Sequence, residues 1–136
     1  MAWRNQNIFI PQNEIKDKVT EVTVKFAEDF GKYLGSGDNK LTTNQLRKFF
    51  GEVKRQQMQG YDKTDFILLK PKLAYAVGRT KNVRGLTPKI KDFYEVMSNA
   101  IDLVQNDLHF KNFIKVFEAI VAYHKAAEES KLNDNE

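Results

Sequence analysis

Apolar residues recur along this chain in steps of three and four. Between residues 13 and 34 they fall at Ile15, Val19, Val22, Phe26, Phe30 and Tyr33, which predicts an amphipathic helix with Asn13 as its N-cap. The run Gly35-Ser36-Gly37-Asp38-Asn39 ends it. Leu46, Phe49, Phe50 and Val53 predict a second helix, capped by Thr42 or Thr43 and closed at Gly60. Phe66, Leu69, Leu73, Ala76 and Val77 give a third, over about residues 64–80. Pro71 either fills the first turn of a helix starting near Leu69 or kinks a longer one. After a loop carrying Arg84, Thr87-Pro88 signals a fourth start, with Ile90, Phe93, Tyr94, Met97, Ile101 and Val104 in phase. Asp107 then caps a fifth helix bearing Phe110, Phe113, Ile114, Phe117, Ile120, Val121 and His124. No stretch alternates with period two. The pattern predicts an all-α, compact five-helix bundle in a single domain. An irregular N-terminal arm covers residues 1–12, the bundle 13–127, and a flexible polar tail 128–136.

Composition adds exclusions. With 136 residues the chain can bury one real core. It has no cysteine, so neither disulfides nor thiolate metal sites are available. No apolar run reaches the ~18–20 residues of a membrane helix, and MAWRNQNIFI is too short and polar for a signal peptide; the expected location is cytoplasmic, with no membrane partner. His109 and His124 sit about 22 Å apart on one helix and cannot share a metal ion. His124 ends an apolar stripe and reads as a packed residue. No zinc-protease, phosphate-loop or nucleophile-elbow motif occurs. No catalytic residue, metal or cofactor is expected.

Charge changes the picture most. Residues 40–91 hold thirteen Lys or Arg against Glu52, Asp62 and Asp65, a net +10, whereas residues 1–39 carry −1 and residues 92–136 carry −5. Arg47 and Lys54, and Lys48 and Arg55, are each seven apart and stack two turns along the second helix, off its apolar stripe. Lys72, Tyr75 and Arg79 make a basic stripe with an aromatic in the middle. A solvated face is the ordinary explanation of such charges. So large a local excess nevertheless costs stability through self-repulsion unless an anionic partner binds. Two partners remain open on charge alone: nucleic-acid phosphates, or an acidic protein surface docked by a helical adaptor with no RNA role. A DNA-reading helix-turn-helix is disfavoured by Pro71 near the start of what would be the recognition helix.

Three stretches carry a resemblance: Leu41-Thr42-Thr43-Asn44-Gln45-Leu46-Arg47-Lys48-Phe49, Leu69-Lys70-Pro71-Lys72-Leu73-Ala74-Tyr75-Ala76-Val77-Gly78-Arg79, and Phe117-Glu118-Ala119-Ile120-Val121-Ala122-Tyr123-His124-Lys125. In this order and spacing, the chain resembles the small subunit of type III-A CRISPR–Cas (Csm) effector complexes over about residues 41–125. One departure is Ala126-Ala127, where the family often has aromatics. The resemblance implies a helical bundle without catalytic activity or small-molecule substrate. Several copies would line up beside the crRNA-bearing backbone subunits and the large subunit. They would contact the crRNA–target RNA duplex, mainly the target RNA, in antiviral and anti-plasmid defence. It assigns RNA contacts to Arg47 and Lys48 from the first stretch and to Lys70, Lys72 and Arg79 from the second. Charge and helical phase add Lys54, Arg55 and Arg84.

Overall fold

The computed structural model describes residues 8–82 and 84–129. These residues form helices and loops, with no β-strand among them. The helical segments are α1 (Gln12–Lys16), α2 (Glu21–Leu34), α3 (Thr43–Gln59), α4 (Lys63–Ile67), α5 (Leu69–Arg79), α6 (Ile90–Leu103) and α7 (Asp107–Glu128). The expected five helices are thus seven segments among the described residues. Two of the predicted helices are broken. Only Leu68 separates α4 from α5.

The first break divides the helix predicted over residues 13–34. Asp17 N and Lys18 N both donate to Asn13 O, ending α1 after one turn. Thr20, not Asn13, then caps α2 by accepting from Val22 N. Buried Glu14 fixes the junction: it accepts from the backbone N–H and the hydroxyl of both Thr20 and Thr23, at 2.6–3.0 Å. Burial pushes the Glu14 carboxyl up, but the Thr23 and Thr20 donors outweigh it and hold it below the usual range. The break shifts the helical phase. Ile15, Phe26, Phe30 and Tyr33 reach the core as predicted, whereas Val22 is exposed.

The second break confirms the first-turn placement of Pro71. It is the third residue of α5, where its missing N–H has no helical acceptor. Two cap assignments shift by one or two residues. Lys89, rather than Thr87, stands before α6, and Asn106, rather than Asp107, caps α7 by accepting from His109 N. The fifth helix also runs to Glu128, so this residue belongs to the bundle and not to the tail. Trp3 and residues 130–136 of the predicted arm and tail lie outside the described residues. Within the arm, Ile10 is buried and Ile8 packs on the core.

Phenylalanines tie the bundle together around α7. Phe117 meets Phe49 of α3 edge-on at 5.4 Å between ring centres, and Phe49 meets Phe93 of α6 at 5.5 Å. Phe66 of α4 contacts Phe110 and Phe113 of α7 in the same T-shaped geometry. Opposite them, α2 lies along α7 at very close range. A Cβ built on Gly31 would stand 2.6 Å from Tyr123 Cβ, and one on Gly35 would stand 2.6 Å from His124 O. The α2–α3 loop is stitched to the start of α6. Asn39 Nδ2 donates to Thr87 O, Lys89 N donates to Asn39 O, and Lys89 Nζ donates to Tyr33 O and Ser36 O.

Candidate functional site

Helix α3 carries four of the candidate cations, and its position is set at its first turn. Thr42 Oγ1 accepts from Gln45 N while Thr42 N donates to Gln45 Oε1, a complete capping box. The last turns of α7 hold the same end. His124 Nε2 donates to Leu41 O, and Glu128 accepts from both the N–H and the hydroxyl of Thr43. Burial pushes the Glu128 carboxyl up, and the Thr43 donors, aided by the charges of His124 and Lys40, bring it below its usual value. His124 is 1% exposed, as expected of a packed residue.

Held this way, α3 runs antiparallel to α5 with a cleft of about 550 Å³ between them. Its floor is apolar: Leu41, Phe49, Leu73, Ala76, Ile90 and Phe93. Two polar links cross it. Gln45 Nε2 donates to Thr80 Oγ1 at 3.2 Å, and Lys72 Nζ donates to Glu52 Oε2 at 2.9 Å. Gln45 and Glu52 are two turns apart on α3, so the links frame an opening about 10 Å long. Lys48, Lys72, Tyr75 and Arg79 stand around it. Tyr75 is 68% exposed, and the Arg79 guanidinium lies 5.7 Å from its ring centre.

The eight candidate cations do not form one face. Lys48 and Arg55 turn toward α4 and α5, whereas Arg47 and Lys54 turn toward α7. Arg47 borders a shallow dimple with Phe50, Val121 and Lys125, and Lys54 pairs with Glu118. Nor is the basic centre as unpaired as its sequence implied. Arg55 bridges Glu52 and Asp65, Lys72 reaches Glu52, Lys70 pairs with Asp102 at 2.7 Å, and Arg84 with Asp38 at 3.0 Å. Asp38, Asp102 and Glu118 come from outside residues 40–91, which is why local counting missed them. Glu52 is the focus of this neutralisation. Hydrogen bonds from Arg55 and Lys72 hold its carboxyl down to about 2, against an ordinary 4.5. Among the described residues, Arg47, Lys48 and Arg79 have no carboxylate within ion-pair range.

No group of three or more His, Asp or Glu that could hold a metal ion occurs among the described residues. No described helix is long and apolar enough to cross a membrane. The chain matches the model of the Csm2 Type III-A family over residues 17–130. It belongs to that family. The match takes in α2 to α7, both walls of the cleft and every candidate cation. The chain is accordingly a small subunit of the type III-A CRISPR–Cas Csm complex, and its partners are other subunits of that complex. No curated protein and no solved structure matches it significantly.

Proposed function

We propose that this Csm2-family subunit holds target RNA by its backbone phosphates along the α3–α5 edge, without chemistry of its own. Several copies, arrayed beside the crRNA-bearing backbone subunits in the cytoplasm, present the same edge repeatedly. The observation that carries this reading is the convergence of Lys48, Lys72 and Arg79 on one cleft, with Lys48 and Arg79 free of carboxylates among the described residues. Free cations can release phosphate counterions on binding, whereas paired ones must first give up an internal partner. Lys48 and Arg79 are therefore the principal contacts and Lys72 a secondary one. Arg47, on the α7 side, would meet a different stretch of RNA or a neighbouring subunit. Lys54, Arg55, Lys70 and Arg84 are already neutralised by Glu118, Glu52 with Asp65, Asp102 and Asp38, and contribute less. Guide–target pairing supplies sequence specificity, so the protein needs only phosphate contact.

RNA titrations at several salt concentrations test this. Three phosphate contacts give a slope of log K against log salt of about −2 per subunit. A flat salt response would remove the phosphate reading in favour of a helical adaptor whose basic face docks on acidic protein.

A further inference from the structure

The α3–α5 cleft contains more than a phosphate site needs. A row of lysines and arginines on a convex surface suffices to hold a backbone. Here the cations surround an apolar recess of about 550 Å³, well within the range that takes small organic groups. An exposed tyrosine stands at its mouth with a guanidinium against its ring. A ligand that satisfies all three features has a flat apolar body and an anionic group on a short tether. A single unpaired nucleotide has that form, with its base in the recess and its phosphate on the rim.

We infer that the cleft between α3 and α5 is a subsite for one unpaired nucleotide of the bound RNA strand. The base enters between the Gln45–Thr80 and Glu52–Lys72 links. It rests on Phe49, Leu73 and Ala76 and stacks at the mouth on Tyr75. Lys48 and Arg79 hold the phosphate that follows it. Every base has a π-face, so the subsite accepts any of the four. A fully paired duplex satisfies only the rim, since its bases remain stacked inside the helix. The subunit consequently prefers RNA from which a base can be turned out at little cost. This inference rests on the phosphate reading above, and adds the base as a second point of contact. An acidic amphipathic peptide is the competing occupant. It would match the charge and the apolar floor, but gives the Tyr75–Arg79 pair no flat partner.

Two short RNA duplexes test it on the full chain: one fully paired, one with a single unpaired 4-thiouridine in one strand. The unpaired nucleotide is expected to tighten binding about fivefold or more. Its photo-crosslinks should map to residues 72–80. Both effects should vanish in Tyr75→Ala, which alters an exposed side chain, and in Ala76→Phe, which fills the recess. Binding of the paired duplex should survive in both variants and fall in Lys48→Ala/Arg79→Ala. Equal affinity for the two duplexes, with salt-dependent binding intact, would overturn the nucleotide subsite and leave the phosphate reading standing. Absence of binding to either duplex at low salt would overturn both. Adenosine or uridine monophosphate binding as tightly as the unpaired RNA would make the ligand a free nucleotide and overturn its place in a strand. Displacement of the unpaired RNA by a synthetic Glu/Leu amphipathic peptide of higher affinity would overturn it in favour of protein docking.

Discussion

Glu52 shows how one carboxylate divides the work of the cations around it. It accepts from Arg55, Lys72 and Gln56, and stands at one end of the cleft. In the proposed site, RNA arriving at Lys72 would compete with it. Glu52→Gln removes the competing charge and should raise RNA affinity about two- to fivefold, the scale of one partly exposed ion pair. A loss of affinity on titration of that variant would show that Glu52 instead organises Lys72 for binding. The same residue sets an acid response. Its folded carboxyl titrates near 2 rather than 4.5, so the ion-pair network stabilises the protein fully above pH 4.5. That stabilisation is lost as pH falls from 4.5 toward 2. Thermal melts of wild type and Glu52→Gln should differ at pH 7, draw closer at pH 3 and converge only near pH 2. At this scale the sequence was legible in part. The stripe of Lys72, Tyr75 and Arg79 lies together at one cleft as its spacing required. The neutralising carboxylates Asp38, Asp102 and Glu118 were not legible, because they lie 46, 32 and 64 residues from their partners.

Helix starts and close approaches decide how well α3 and α5 are placed. Thr42 was one of two cap candidates, which its Thr-x-x-Gln spacing could have singled out, and Pro71 fitted either a first turn or a kink. The break at residues 17–20 was hidden, since Ile15, Val19, Val22 and Phe26 keep a helical period across it. Only the reach of Glu14 to Thr20 and Thr23 reveals it. Gly31 and Gly35 are four apart inside and at the end of α2, a spacing that puts both on one side of a helix. That spacing was the available signal for the tight α2–α7 contact. Thr42→Ala should cost about 1 kcal/mol of stability, read by denaturant unfolding. Gly31→Ala places a methyl against Tyr123 Cβ and the His124 backbone N, which cannot both retreat. It should cost about 2–3 kcal/mol through forced separation of α2 and α7. A cost below that of Thr42→Ala would mean that α2 and α7 adjust freely.

Over the whole molecule, the sequence placed the basic centre between flanks that carry −1 and −5, and the fold brings parts of those flanks back onto it. Folding thus brings Asp38, Asp102 and Glu118 onto the +10 centre and pairs five of its eight candidate cations. It leaves Lys48 and Arg79 on one cleft and Arg47 on the α7 side. In the proposed array such a site would be weak alone and gain from repetition, because linked weak contacts raise avidity without any new interaction. The direct measurement is the affinity of the assembled Csm complex for target RNA, with Lys48→Ala/Arg79→Ala compared against Lys54→Ala/Arg84→Ala. Helical content is checked in each. Both pairs remove two positive charges, so bulk electrostatics is matched. The expected result is a loss of about tenfold or more for the cleft pair and about twofold or less for the neutralised pair. Equal losses, or no loss for Lys48→Ala/Arg79→Ala in a folded subunit, would contradict the assignment of RNA to the α3–α5 cleft.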